Sequence, residues 1–510
     1  VLSKVKSVAN YGLKAVEIDV EVNVADKGFP GFGIVGLANK AVEEARERVK
    51  TAIINSDIEF PNRKITINLA PADLPKEGSA YDLPIAMGII ASMDMVKLPT
   101  QAYFYGELSL DGSLRHSKGV FLLALLAKEN GIKDIYVPRV SANEACVVEG
   151  INVYPVTNIK DLIRHLRGEK MIKALLNLKK EVLLSDLQPE FDFDEVLGQE
   201  TAKRALEIAA AGGHNIMMMG PPGSGKTMLA RAIPGILPCL NEEESLEVTK
   251  IYSITGNIPP GGSLIKYRPF RAPHHTTSKV GLVGGGSNPH PGEISLAHRG
   301  VLFLDEFAEF GRNTLEVLRQ PLEDGRITIS RSAGSVTFPA DFMLVAAANP
   351  CPCGFLGDVK RQCRCTLNQI LNYQKKLSGP ILDRIDLHLN VPAVDVKKLM
   401  VDTKGEKGES STEIRKRVNW ARAKQNSRFA EVVGIYCNAD MKNRQIKEFA
   451  RLTSGANLLL KQAINRYALS ARTYFRLIKV ARTVADLAGE EKINENHMAE
   501  TLQYRVRIEK

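Results

Sequence analysis

Hydrophobic positions change their rhythm three times along the chain. Over the first 167 residues, short alternating runs are interleaved with helical ones. Val16 to Val24 alternates as a strand does, and Ala38 to Ser56 repeats apolar residues at helical spacing. Ile65 to Leu69 predicts a second short strand, and Ile135 to Pro138 the end of another. Pro84 to Met95 predicts an apolar helix of about three turns. Val120 to Asn130 predicts a further helix, closed by Gly131. Residues 168–191 lose this pattern. Met171 to Leu184 can be helical, while Ser185 to Asp194 is polar and acidic and contains Pro189, so the stretch reads as a linker. From 192 to 401 the strands are unbroken apolar runs, as strands buried on both faces of a parallel sheet must be. From 402 onward the polar stretch Asp402 to Ser411 gives way to helices alone. Their predicted segments are Thr412 onward with Ile414, Val418 and Ala421 on one face, then Leu458–Tyr467, Tyr474–Ala488 and Glu495–Tyr504. The expectation is an α/β unit over 1–167, a linker, an α/β core over 192–401 and a helical domain over 402–510, with no internal repeat.

The core carries the strongest local signal. Gly220-Pro221-Pro222-Gly223-Ser224-Gly225-Lys226-Thr227 fits the full phosphate-loop pattern. Asn215 to Met219 before it reads as a buried strand, and Met228 to Ile236 after it as a helix. Such a turn aims backbone N–H groups and a helix N-terminus at a phosphate. Lys226 is placed to reach the β- and γ-phosphates of ATP, and Thr227 to offer a hydroxyl to Mg²⁺. A helix over Ala202–Ala211 leads into this strand.

Val301-Leu302-Phe303-Leu304-Asp305-Glu306 is a second decisive stretch. Its apolar half predicts a parallel strand whose C-terminal end faces the ligand. Asp305 can hold Mg²⁺ and Glu306 can orient and deprotonate the attacking water. A third strand, Phe342 to Ala348, ends in Asn349. Gly325 to Phe338 alternates around Ser332-Ala333-Gly334 and predicts a hairpin with Arg331 at its tip. Gly281 to Ile294 is an irregular insertion. His274-His275 has no evident partner cluster and is given a structural role.

Four of the seven cysteines fall between 351 and 365, as Cys351-Pro-Cys353 and Cys363-Arg-Cys365. Two such pairs can supply four thiolates to one tetrahedral Zn²⁺; free thiols and a redox pair are the alternatives. The odd, modest cysteine count excludes a secreted disulfide framework. No apolar run reaches the length of roughly 18 residues a membrane helix needs and no secretory signal is seen, so a cytoplasmic protein without a membrane partner is expected. The net charge of +10 fits a polyanionic partner.

Two resemblances sharpen this picture. Through Lys76-Glu77-Gly78, Gly106 to Gly112 and Gly131-Ile132-Lys133, the first unit resembles the proteolytic domain of Lon, a ribosomal-S5-like fold. The Ser–Lys dyad of Lon is missing. Its nucleophile position falls on Ala80, beside Ser79, and its lysine position on Phe121, with Lys118 nearest. The resemblance therefore implies the fold without peptidase chemistry. The rest of the chain resembles the AAA+ ATPases. Asn349 looks like sensor 1, between γ-phosphate and water. Gly379 to Asp386 resembles the arginine-finger segment of the MCM and magnesium-chelatase branch, which would send Arg384 to a neighbouring subunit's γ-phosphate; the alternative is an ion pair with Asp383 or Asp386. Ser470-Ala471-Arg472 resembles sensor 2, with Arg476 as runner-up. In order of domains the chain resembles the magnesium-chelatase-like AAA+ family of competence protein ComM (YifB). That resemblance implies a homo-oligomeric, hexameric ATPase ring with a helical lid, using ATP and Mg²⁺ and acting on DNA as a branch-migration helicase. In such rings the hairpin and the Gly284 to Pro291 insertion line the pore. The competing function is a chelatase-type motor acting on a protein partner.

Overall fold

The computed structural model describes residues 2–25, 29–36, 40–74, 76–175, 190–258, 261–286, 289–331, 334–358, 361–377, 381–393, 408–467 and 469–505. The N-terminal unit is built on a seven-stranded mixed sheet. Its spatial order is Gly31–Val35, Lys64–Ala70, Lys14–Val24, Leu2–Tyr11, Ala102–Phe104, Asp134–Pro138 and Asn152–Val156. Leu2–Tyr11 and Lys14–Val24 form a long antiparallel hairpin; the three strands beyond Leu2–Tyr11 run parallel to it and to one another. The helix Asp82–Ser92 is apolar on every side and almost wholly buried, as a helix with no polar face must be. It packs on one face of the sheet, and Val120–Glu129 packs on the other. Ala80 and Phe121 both lie in that second core. Neither carries a nucleophile or a base. Ser79 hydrogen-bonds Glu107, and buried Lys76 donates to the Pro71 carbonyl.

The second unit is a five-stranded parallel sheet in the order Phe270–Arg271, Val301–Leu304, Met343–Ala348, Ile216–Met219 and Leu387–Asn390. The strands with unbroken apolar runs are the inner ones: every residue of Val301–Leu304 and Met343–Ala348 is buried. The hairpin pairs Arg326–Arg331 with Gly334–Pro339. Ile327, Ile329, Val336 and Phe338 are buried on one face, where Tyr11 and Leu13 of the N-terminal hairpin join the same cluster. Ser332 and Ala333 at its tip lie outside the described residues, as does the side chain of Arg331. The insertion is less irregular than expected: a short helix, Lys279–Val283, precedes a small pairing of Gly284–Gly285 with His290–Pro291.

The C-terminal helices are Ser411–Phe429, Asn443–Phe449, Ser454–Tyr467, Ala471–Ala488 and Glu495–Gln503. They enclose a core of their own and also complete that of the ATPase sheet, to which they lend Ile414, Val418, Ala421, Val480 and Val484. Of the linker, Met171 to Leu175 is not helical as expected, and Leu175 instead bridges to Val153 at the edge of the sheet. The remainder of that expected helix, the polar stretch 402–407, and Gly379 and Pro380 lie outside the described residues. The helix after the phosphate loop is Lys226–Ala232. It stops short of Ile236 because Pro234 tightens the chain into a 3₁₀ turn over Ile233–Gly235.

The helix Glu242–Thr255 of the ATPase unit docks the N-terminal unit. Ser253 accepts the Gly119 N–H on its carbonyl at 2.9 Å, and its hydroxyl donates to buried Glu144 at 2.9 Å while accepting the Phe121 N–H at 3.3 Å. Removing this hydroxyl strips two buried groups of a partner. Ser253→Ala is expected to lower stability by about 1–3 kcal/mol in urea denaturation of the full chain. An unchanged midpoint would mean that water replaces the hydroxyl.

Candidate active site

Three adjacent strands deliver the active-site groups to one edge of the sheet. Met219 lies opposite Ala348, and Leu304 opposite Ala346, so the residues after each strand emerge together. The Gly220 N–H donates to the Ala348 carbonyl at 3.2 Å, setting the phosphate loop beside Asn349. Gly225 begins the loop's helix at φ 88°, a backbone that a side chain would strain. Lys226 is 8% exposed, and its ammonium turns back onto the loop. It donates to the Gly220 and Pro221 carbonyls at 2.9 Å each and comes within 3.5 Å of Asn349 Oδ1. Burial lowers its proton affinity, and the Asp305 carboxylate opposes that effect.

Thr227 Oγ1 donates to Asp305 Oδ2 at 2.7 Å, so the hydroxyl and carboxylate expected to share one cation already touch. Glu306 follows at φ 51° and ψ 44°, in the left-handed region. That conformation costs a non-glycine residue on the order of 1–3 kcal/mol and is found where function demands it. Its carboxylate is exposed and meets His275 Nδ1 at 2.9 Å. His275, given a structural role from the sequence, thus has Glu306 as a direct partner. Its ring and that of His274 lie 4.1 Å apart between centroids, tilted by 34°. His275 precedes Glu306 by 31 positions in an irregular segment, and no sequence spacing announces the contact.

Arg384 is buried at 6% exposure in a short 3₁₀ turn. Its backbone carbonyl accepts from Asn215 Nδ2 at 3.1 Å, which ties the turn to the base of the phosphate-loop strand. Its guanidinium pairs with Glu323 rather than with Asp383 or Asp386. Glu323 also receives Arg472 at 3.6 Å, while Arg476 goes to Asp386 at 3.5 Å. The predicted arginine finger and the predicted sensor 2 thus meet at one carboxylate that the sequence did not single out. Arg472 is 63% exposed and Arg476 22%, which separates the two sensor-2 candidates by reach.

The four clustered cysteines converge directly after Asn349. Their sulfurs all lie within 4.8 Å of one another. Cys351 is 3.4 Å from Cys353 and 3.7 Å from Cys363, and Cys353 is 3.6 Å from Cys363. Four thiolates at about 2.3 Å from a tetrahedral zinc would stand roughly 3.8 Å apart, so the donor set and its spacing fit such an ion. Backbone N–H groups of Phe355 and then Arg364 bring the Cys353 thiol down to about 6. The helix Leu367–Leu377 then returns Tyr373 to this place. Burial pushes its phenol up to about 12, opposed by a hydrogen bond from the Asn349 backbone.

The chain has full-length relatives. It is 42% identical to competence protein ComM of Haemophilus influenzae over 99% of its own length and 98% of that protein. It is 43% identical to YifB of Escherichia coli, over 99% and 97%. The chain belongs to the magnesium-chelatase-like AAA+ family of ComM and YifB. Family models described as magnesium chelatase, subunit ChlI, match residues 192–399 and, for its C-terminal part, 408–505; one described as subunit ChlI of Mg-chelatase matches 20–141. The 38 kDa magnesium-chelatase subunit of Rhodobacter capsulatus is 27% identical over 35% of this chain and 56% of its own. Membership implies ATP and Mg²⁺ at the phosphate loop. Among the described residues, no helix is long and apolar enough to cross a membrane.

The cysteine segment is packed directly on that loop. At Gly354 (φ 82°) an added Cβ would stand 2.5 Å from Pro222 Cδ, whereas at Gly357 (φ 76°) it would meet nothing within 4 Å. Gly354→Val is expected to weaken binding of a non-hydrolysable ATP analogue by about tenfold or more, because the phosphate loop must move. Gly357→Val, equally strained in backbone, is the control and should bind normally by calorimetry. Equal losses would assign the effect to backbone strain and not to the Pro222 contact.

Proposed function

We propose that the protein is a ring-forming, ATP-driven motor that moves DNA, a helicase or branch-migration factor of recombination and natural transformation working in the cytoplasm. The observation that carries this reading is the meeting of Lys226, Thr227, Asp305 and Asn349 at one sheet edge in a chain alike to ComM from end to end. Lys226 leaves its own loop carbonyls for the β- and γ-phosphates. Thr227 and Asp305 would hold Mg²⁺, which would supply positive charge to the phosphates. Glu306 exchanges His275 for the attacking water, and Asn349 lies between that water and the γ-phosphate. Arg384 and Arg472 are held by Glu323 until nucleotide at an interface competes for them. The active site is then complete only between subunits, and a hexamer is the expected assembly.

The N-terminal unit is a Lon-like scaffold without peptidase chemistry, a reading supported by Ala80 and Phe121 in its core. Tyr11 and Leu13 lean it on the hairpin that ends at Arg331, so it braces the element expected to line the pore. The second reading is a chelatase-type motor that remodels a protein partner. Its support is that each matching family model carries the chelatase description.

ATPase assays with single-stranded, duplex and forked DNA separate the two, and DNA stimulation is expected. Lys226→Ala should abolish nucleotide binding, and Glu306→Gln should bind without turnover. Arg384→Ala should bind normally and hydrolyse poorly, yet regain activity when mixed with Lys226→Ala, because mixed interfaces contain one intact set of residues. No DNA stimulation at any salt concentration would transfer the assignment to the protein-remodelling motor, and no rescue on mixing would remove the trans role of Arg384.

The occupant of the cysteine cluster in this reading is one structural Zn²⁺. Elemental analysis of protein purified without chelator should give one zinc per chain. Cys363→Ser should lose it and lower thermal stability, because metal affinity is folding free energy here. Four freely titrating thiols with no metal would leave the cluster as free or redox-active cysteines.

A further inference from the structure

The chain's positive charge is concentrated in the lid. Residues 408–505 hold eighteen Lys and Arg against ten Asp and Glu, which accounts for eight of the ten net charges. Several of these cations are structural: Arg417 pairs with Glu207, and Arg428 and Arg482 share Asp486. Arg466 and Arg505 are arranged differently. Their guanidiniums lie 5.7 Å and 5.3 Å from the centroid of the Tyr467 ring, and that ring is 52% exposed at the end of helix Ser454–Tyr467. Beside them opens a cleft of about 280 Å³, whose lining includes Leu459, Leu502 and Gln503, with no carboxylate among the described residues that line it. The charges are thus left facing a wet cleft with a flat aromatic surface at its rim. Holding two cations against one exposed ring costs solvation and side-chain entropy that cation–π attraction only partly offsets.

We propose that this cleft binds a segment of single-stranded nucleic acid, with a base stacked on Tyr467 and flanking phosphates on Arg466 and Arg505. The three groups are those that single-strand binders combine: an aromatic platform that accepts any base, and cations that follow the backbone. An acidic peptide would use the charges and leave the ring idle. A duplex keeps its bases stacked internally and would use the charges alone. The site is distinct from the expected pore contact at Arg331. It gives the lid, whose helix Ala471–Ala488 carries Arg472, a grip of its own on the strand. The inference rests on the reading that the motor acts on DNA.

Fluorescence anisotropy of the full chain with a short labelled oligothymidine tests it. Tyr467→Ala should weaken single-strand binding about tenfold. Tyr467→Phe should bind as the parent does, and basal ATPase and assembly state should not change. Arg466→Ala and Arg505→Ala should each reduce the salt dependence of binding. Duplex affinity should be unchanged in Tyr467→Ala. Parent-like single-strand affinity in Tyr467→Ala would overturn the proposal while leaving the DNA motor intact. A changed assembly state would instead make this face a contact between subunits, which also overturns it. A parent protein that binds no DNA at any salt would remove the motor reading itself.

Discussion

An ammonium at the mouth of a phosphate loop must be solvated by something, and the rest of the ATPase unit is arranged around that requirement. Lys226 is nearly buried, so water cannot serve it fully; two loop carbonyls and Asn349 do. This is possible only because the sheet order sets Ile216–Met219 beside Met343–Ala348 and that strand beside Val301–Leu304. The same adjacency brings Thr227 onto Asp305. A phosphate entering the loop replaces neutral carbonyl partners by charged ones. The resting hydrogen bonds keep the lysine in place without satisfying it as well as an anion would.

The arginines follow the opposite logic. Arg384 and Arg472 have a carboxylate partner at rest, and it is the same one, Glu323. A buried guanidinium needs a place beside an opposite charge, because unpaired it would be costly. Glu323 is half-exposed and supplies that place without burying a carboxylate of its own. Arg384 also has its backbone tied to Asn215 at the foot of the loop strand.

Much of this could be read from the chain alone, and the reason is local. Unbroken apolar runs ending in Asp305 or Asn349 can only be buried parallel strands, and a phosphate loop carries its own turn and helix start. The strand Val301–Leu304 and the hairpin after Gly325 appear where the pattern put them, and the main C-terminal helices begin or end within a few residues of it. The failures are contacts between distant segments. His275 reaches Glu306 from an irregular stretch, and Glu323 collects two arginines from 61 and 149 positions away. Neither histidine nor glutamate sits in a pattern, because an ion pair needs proximity and leaves no periodic trace. The Cys-x-Cys pairs were visible as a ligand set, whereas their seat on Pro222 was not. That seat depends on a positive-φ glycine whose neighbour is 132 residues earlier.

The cysteine segment consequently belongs to the nucleotide site in a mechanical sense. It starts at Asn349, presses Gly354 on Pro222, and returns through Tyr373 to the Asn349 backbone. A chain of this length without regular structure has little intrinsic stiffness, and its own apolar burial is slight, with Cys351 its fully buried side chain. Its four sulfurs form a donor set whose spacing fits a metal ion, and they draw both ends of the segment together. The phosphate loop is then supported on one side by the parallel sheet and on the other by the cysteine turn. One continuous stretch of chain, from 349 to 384, thus joins Asn349, the cysteine turn and Arg384.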